Sequence, residues 1–90
     1  MAKKVGAEKK REARTLGQAV GAVLTELRTQ KGWSVRELSD RINYVTNTIS
    51  DIEMARKSPT LRTLEALATV HSMRVSDIIV AAEMRQRGRR

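Results

Sequence analysis

The sequence predicts an all-α domain of five short helices set between two basic tails. Three observations carry this. Aromatic side chains are nearly absent, with one Trp, one Tyr and no Phe in 90 residues, so Leu, Ile, Val, Ala and Met must form the core. That set suits packed helices better than a sheet. Apolar residues recur every three or four positions, the period of a helix with one buried face. Finally, the cap-forming residues Thr15, Ser34, Thr60 and Ser76 each stand just before such a run.

Thr15 and Gln18 form a capping box that opens the first helix. Leu16, Val20, Val23, Leu24 and Leu27 share one face of it, and Gly32 after Lys31 supplies the stop. Ser34 and Glu37 form a second capping box, with Trp33 placed to staple against Leu38. Val35, Leu38 and Ile42 give the second helix its buried face, and Asn43, which tolerates left-handed backbone, ends it. The third helix is expected from about Thr46 to Met54 with Ile49 and Ile52 inward, and a basic loop follows from Ala55 to Pro59.

Thr60 caps the fourth helix, which Leu61, Leu64, Leu67, Ala68 and His71 line on one side. Ser76 caps the fifth, with Asp77 in the first turn where a carboxylate meets the positive end of the helix dipole. Ile78 to Ala82 is apolar around the whole circumference. A terminal helix of that kind needs two buried faces: a second copy of the chain is the simplest cover for the outer one, and a helix sunk deeper into the core of the single chain is the alternative. Ile78, Ile79 and Ala82 are the expected dimer contacts.

The net charge of +8 is unevenly placed. Residues 1–14 hold six basic and two acidic side chains, residues 85–90 hold four Arg and no acid, and the stretch between is balanced at eight and eight. The chain therefore divides into a basic flexible arm at 1–14, a neutral helical domain at 15–84 and a basic tail at 85–90. Basic ends on a neutral body fit a polyanion such as nucleic acid, the alternative being disordered ends that only aid solubility.

Several classes are excluded. Without cysteine there is no disulfide or thiolate metal site, which fits a reducing cytoplasm. The single His71 has no companions at zinc-site spacing, and no metal or cofactor is expected. No run approaches the ~18 apolar residues of a membrane span. The stretch after Arg14 is interrupted by Gln18 and lacks a leader-type cleavage site, so a cytoplasmic protein is expected. Nothing in the chain pairs a nucleophile with a base or makes a glycine-rich phosphate loop, so no enzyme is expected.

Function is written most clearly between Ser34 and Thr60. Apolar residues stand where two helices must touch, at Leu38, Ile42, Tyr44, Ile49 and Ile52. Ser39 is small where the helices cross, and Asn43 is suited to positive φ where they turn. Such a pair can present the first turn of its second helix to the major groove of DNA.

The order Leu38-Ser39, Thr48-Ile49-Ser50, Ile52-Glu53, Arg56-Lys57 and Pro59 resembles the Cro/phage-repressor type of helix-turn-helix regulator, also called the xenobiotic-response-element family. The likeness covers residues 16–79. It implies a lambda-repressor-like, five-helix domain that binds operator DNA, usually as a dimer. It also implies that Glu53 pairs with Arg28. Val35 stands where the family usually has Gln, and Asn43 and Ala55 stand where it usually has Gly.

Thr46 and Asn47 are the leading base readers: Asn can pair bidentately with adenine, and Thr can bond a base edge or touch a thymine methyl. Asp51 occupies a place where related regulators often carry a base-reading side chain. It would accept from cytosine N4, repel phosphate, or be a solvated charge. Ser34, Arg36, Thr48, Ser50, Arg56 and Lys57 are the candidates for the DNA backbone, with the amides at the start of the second helix and Arg62 beside them. The sequence thus reads as a sequence-specific double-stranded-DNA-binding transcriptional regulator, a repressor, holding a palindromic operator as a homodimer. No small-molecule effector is expected. A restriction–modification controller, or a DNA-binding antitoxin with a protein partner, is the alternative.

Overall fold

The computed structural model describes residues 15–88, with side chains placed through residue 86. The arm expected at 1–14 and the last two residues of the tail lie outside that range. Five helices follow one another: α1 Leu16–Gln30, α2 Val35–Ile42, α3 Thr46–Glu53, α4 Leu61–Val70 and α5 Val75–Gly88. Among the described residues there is no strand, and no helix is long and apolar enough to cross a membrane. The fold is all-α, as the composition predicts.

Local sequence sets the helix ends. Both capping boxes are present: Thr15 Oγ1 accepts from Gln18 N–H at 3.0 Å, and Ser34 Oγ accepts from Glu37 N–H at 3.0 Å. The return bonds run from Thr15 N–H to Gln18 Oε1 and from Ser34 N–H to Glu37 Oε1. Thr60 Oγ1 caps α4 by accepting from Thr63 N–H. Each such cap contributes about 1 kcal/mol.

The helix exits share one device. Gly32, Asn43, Ala55 and Ser72 all have positive φ, between 57° and 75°. At each, the next residue's N–H returns to a carbonyl five positions earlier: Trp33 to Arg28, Tyr44 to Ser39, Arg56 to Asp51 and Met73 to Ala68. These are Schellman closures, which satisfy carbonyls that the end of a helix leaves open.

α1 is the central post. α5 lies along it, α3 crosses it, and α4 packs on α2 and α5. The core is aliphatic: Ala19, Val20, Val23, Leu24, Leu38, Ile49, Ile52, Leu64, Leu67, Ala68, Ile78 and Ala82. His71 is buried beside it as the cap residue following α4, rather than within the helix. Its ring stacks on Trp33 with centroids 5.5 Å apart.

Four expectations are corrected. Leu16 and Leu61 are 39% and 76% exposed instead of lining the core. Each is the first residue of its helix, and helical side chains lean toward the N-terminus, so a first-turn residue points past the packed face. Ser76 is not a cap: α5 starts at Val75, and Asp77 Oδ2 reaches back to accept from Arg74 N–H at 2.9 Å. Ile78 and Ala82, expected at a subunit interface, are 0% exposed in the single chain, inside the core beneath α5. The outward surface of α5 instead carries Val80 and Met84, 52% and 64% exposed, with Ile79 half-buried. Finally, α5 continues to Gly88, so Arg85 belongs to a helix, where it pairs with Glu26 of α1 at 2.6 Å.

Candidate nucleic-acid interface

The pair α2–α3 is held at a fixed angle by three small-scale features. Ser39 is completely buried, and its hydroxyl donates to the Val35 carbonyl at 2.8 Å, which satisfies the polar group inside the contact. Asn43 adopts φ 62° and ψ 46°, turning the chain sharply after α2. Tyr44 then packs on the core, and its phenol oxygen accepts from Thr63 Oγ1 at 3.3 Å, tying the turn to α4.

A second brace comes from α1. Arg28 grips Glu53, the last residue of α3, through Nε–Oε2 at 2.8 Å and Nη2–Oε1 at 3.0 Å. Its remaining Nη1 donates to the Trp33 carbonyl at 2.8 Å. The two side chains are only 14% and 6% exposed, so this fork acts where solvent screens little. Gly21 permits the approach: a Cβ there would stand 2.6 Å from the Glu53 carbonyl oxygen.

With Ile49 and Ile52 committed to the core, the other side of α3 faces outward. Thr46 and Asn47 are exposed at its start, and Thr48, Ser50 and Asp51 are half-buried. Two further residues belong to this surface and were not singled out from sequence. Val45, the residue preceding α3, is 68% exposed and gives the helix no side-chain cap. Met54 is 55% exposed at the other end. Met54 stands seven positions after Asn47 and four after Ser50, a spacing that already placed it on the outer face.

The sequence profile of the helix-turn-helix domain family matches residues 19–76. This chain belongs to the helix-turn-helix domain family. It is 30% identical over 60 residues to the HTH-type transcriptional regulator DdrOP3 of Deinococcus deserti, covering 67% of this chain and 46% of that protein. It is 32% identical over 65 residues to the transcriptional regulator ClgR of Mycobacterium tuberculosis, covering 72% and 58%. The chain thus spans about half the length of these relatives. Among solved structures, a clp gene regulator ClgR from Corynebacterium glutamicum superposes with a TM-score of 0.78 at 25% identity, covering 88% of this chain and 83% of that one. A second structure of that regulator gives 0.71 at 27% identity, covering 79% and 92%.

In this helix-turn-helix, α2 enters through a capped, partly uncommitted N-terminus. The Ser34 and Glu37 amides are taken by the capping box, while the first-turn amides of Val35 and Arg36 have no carbonyl one turn back to bond. Arg36 is exposed beside them. The loop after α3 folds back on that helix: Arg56 and Lys57 N–H both bond the Asp51 carbonyl, at 2.7 and 3.3 Å. Their side chains meet the Asp51 carboxylate as well, with Arg56 Nε at 2.9 Å and Lys57 Nζ at 3.7 Å. Three residues named from sequence are thereby joined, and the carboxylate that sequence offered to cytosine already has two cations on it.

Proposed function

We propose that this chain is a sequence-specific double-stranded-DNA-binding transcriptional regulator, a repressor, that holds a palindromic operator as a homodimer. One observation carries the reading: Thr46 and Asn47 stand exposed on the first turn of a helix that is clamped from behind by Ser39, Gly21 and the Arg28–Glu53 fork. A polar first turn on a rigid mount is what insertion into a major groove requires.

In this reading Asn47 pairs with adenine N6 and N7, and Thr46 contacts a neighbouring base edge or thymine methyl. Ser34, Arg36, Thr48 and Ser50, with the first amides of α2, hold phosphates on the groove walls, and Arg56 and Lys57 reach phosphate from the loop. Two-fold pairing through Ile79, Val80 and Met84 on α5 would set the half-sites about one turn of DNA, roughly 34 Å, apart.

Selection of bound fragments from the source genome, followed by footprinting, tests the proposal. The expected result is a palindromic motif protected on one face of the duplex. Recovery of fragments with no shared motif would reject specific readout. Sedimentation at micromolar concentration tests the dimer: a monomer with and without DNA would remove the two-fold model, and Met84→Glu is expected to weaken both assembly and operator affinity.

A further inference from the structure

The two cations of the loop after α3 are not free in the unbound chain. Arg56 and Lys57 hold the Asp51 carboxylate at 2.9 and 3.7 Å, and their own amides are pinned to the Asp51 carbonyl. The acid is 24% exposed, whereas the cations are 58% and 68% exposed, so the carboxylate lies beneath a basic cover. The Schellman closure at Ala55 fixes this arrangement in the backbone, and the side chains need little further ordering to meet.

We propose that Asp51 is a specificity-determining residue that holds the loop cations off DNA until α3 is seated in its own site. This rests on the DNA-binding reading above. A loosely held duplex meets a loop whose charge is half neutralised by the Asp51 carboxylate. Exposed ion pairs are weak, so a phosphate at hydrogen-bonding distance can take the cations over. Only a seated α3 brings the phosphate that close. The carboxylate therefore weakens attachment to random sequence more than attachment to the operator.

The test compares the full chain with its Asp51→Asn variant on a random-sequence 30-base-pair duplex and on a fragment recovered by the selection, across a salt series. The amide keeps the backbone carbonyl and the loop closure but removes the charge. The variant is expected to bind random duplex severalfold more tightly, with the salt slope steepened by about 0.9 for each cation released. The ratio of fragment to random affinity should fall. In a background carrying Arg56→Gln and Lys57→Gln, the same change should bring no gain, which separates release of these cations from a general charge effect. Unchanged random-duplex affinity and slope would overturn the proposal. So would loss of preference at a single base pair with random binding unchanged, which would make Asp51 a base reader. Failure of the unsubstituted chain to bind either duplex would sink the DNA-binding reading itself.

Discussion

Gly21 lies so close beneath Glu53 that a Cβ on it would stand 2.6 Å from the Glu53 carbonyl oxygen and 2.8 Å from that of Ile52. The obstacle is backbone, which cannot swing aside as a side chain would. Gly21→Ala must therefore push α1 and the end of α3 apart. The expected cost is about 1–3 kcal/mol, the range for overpacking a close contact. Urea denaturation reads it as a lower midpoint at unchanged slope, and an undisturbed midpoint would show that the two helices can part freely.

The Arg28–Glu53 fork locks the same crossing from the side. Its groups are mostly buried, so removing one partner strands a charge. Glu53→Gln is expected to destabilise by about 3 kcal/mol, the lower end for breaking a buried pair. Replacing both together, Arg28→Met with Glu53→Leu, should recover much of this because no buried charge then remains. A double-mutant cycle in urea measures the coupling, and additive losses would mean the fork contributes only bulk.

His71 predicts a pH dependence. Burial holds its imidazole below the ordinary pKa of 6.5; the nearby Lys31 charge adds to that lowering and Glu53 opposes it. Neither ring nitrogen has a hydrogen-bond partner. The unfolded chain thus takes up a proton first as pH falls through 6.5, while the folded chain resists until its own lower pKa. Stability is fully present above 6.5 and is lost between the two values. His71→Phe, which keeps a ring on Trp33 without a titrating group, should flatten this part of the profile. Since His71 is the only histidine, its proton resonance gives the folded pKa directly; a value at or above 6.5 would refute the argument.

How much was legible follows from what each signal encodes. Capping boxes at Thr15 and Ser34 and the turn at Asn43 are local chemistry, and all are present. The Arg28–Glu53 pair came from the family likeness, because nothing local joins residues 25 positions apart. The misplacements at Leu16 and Leu61 arose because periodicity marks a face but not where the neighbouring helix ends. At α5 the apolar run signalled two buried faces, yet composition cannot say which residues face inward; packing along α1 took Ile78 and Ala82. The Asp51 contacts were illegible for another reason: they depend on the left-handed step at Ala55, a residue type that does not announce one.

That step also predicts a gain. Ala55 has φ 62°, which costs an L-residue about 1–2 kcal/mol, while Gly adopts it freely at a smaller entropic cost. At the other end, Val45 leaves α3 without a side-chain cap. Ala55→Gly and Val45→Ser are each expected to raise stability by about 0.5–1 kcal/mol. Thermal melts would show an upward shift for both. A fall for Ala55→Gly would mean that the alanine methyl makes a contact outweighing its strain.

Asn47 is the residue on which the readout depends most directly. It is exposed on the first turn of α3, where its amide can both accept from N6 and donate to N7 of one adenine. Asn47→Ala should therefore cost ~1–3 kcal/mol at one base position and relax the preference there, leaving the salt slope unchanged because no phosphate contact is lost. Competition binding with every base substituted in turn at each half-site position measures this. A uniform loss across all sequences with a shallower slope would move Asn47 to the DNA backbone and leave Thr46 as the reader on that turn.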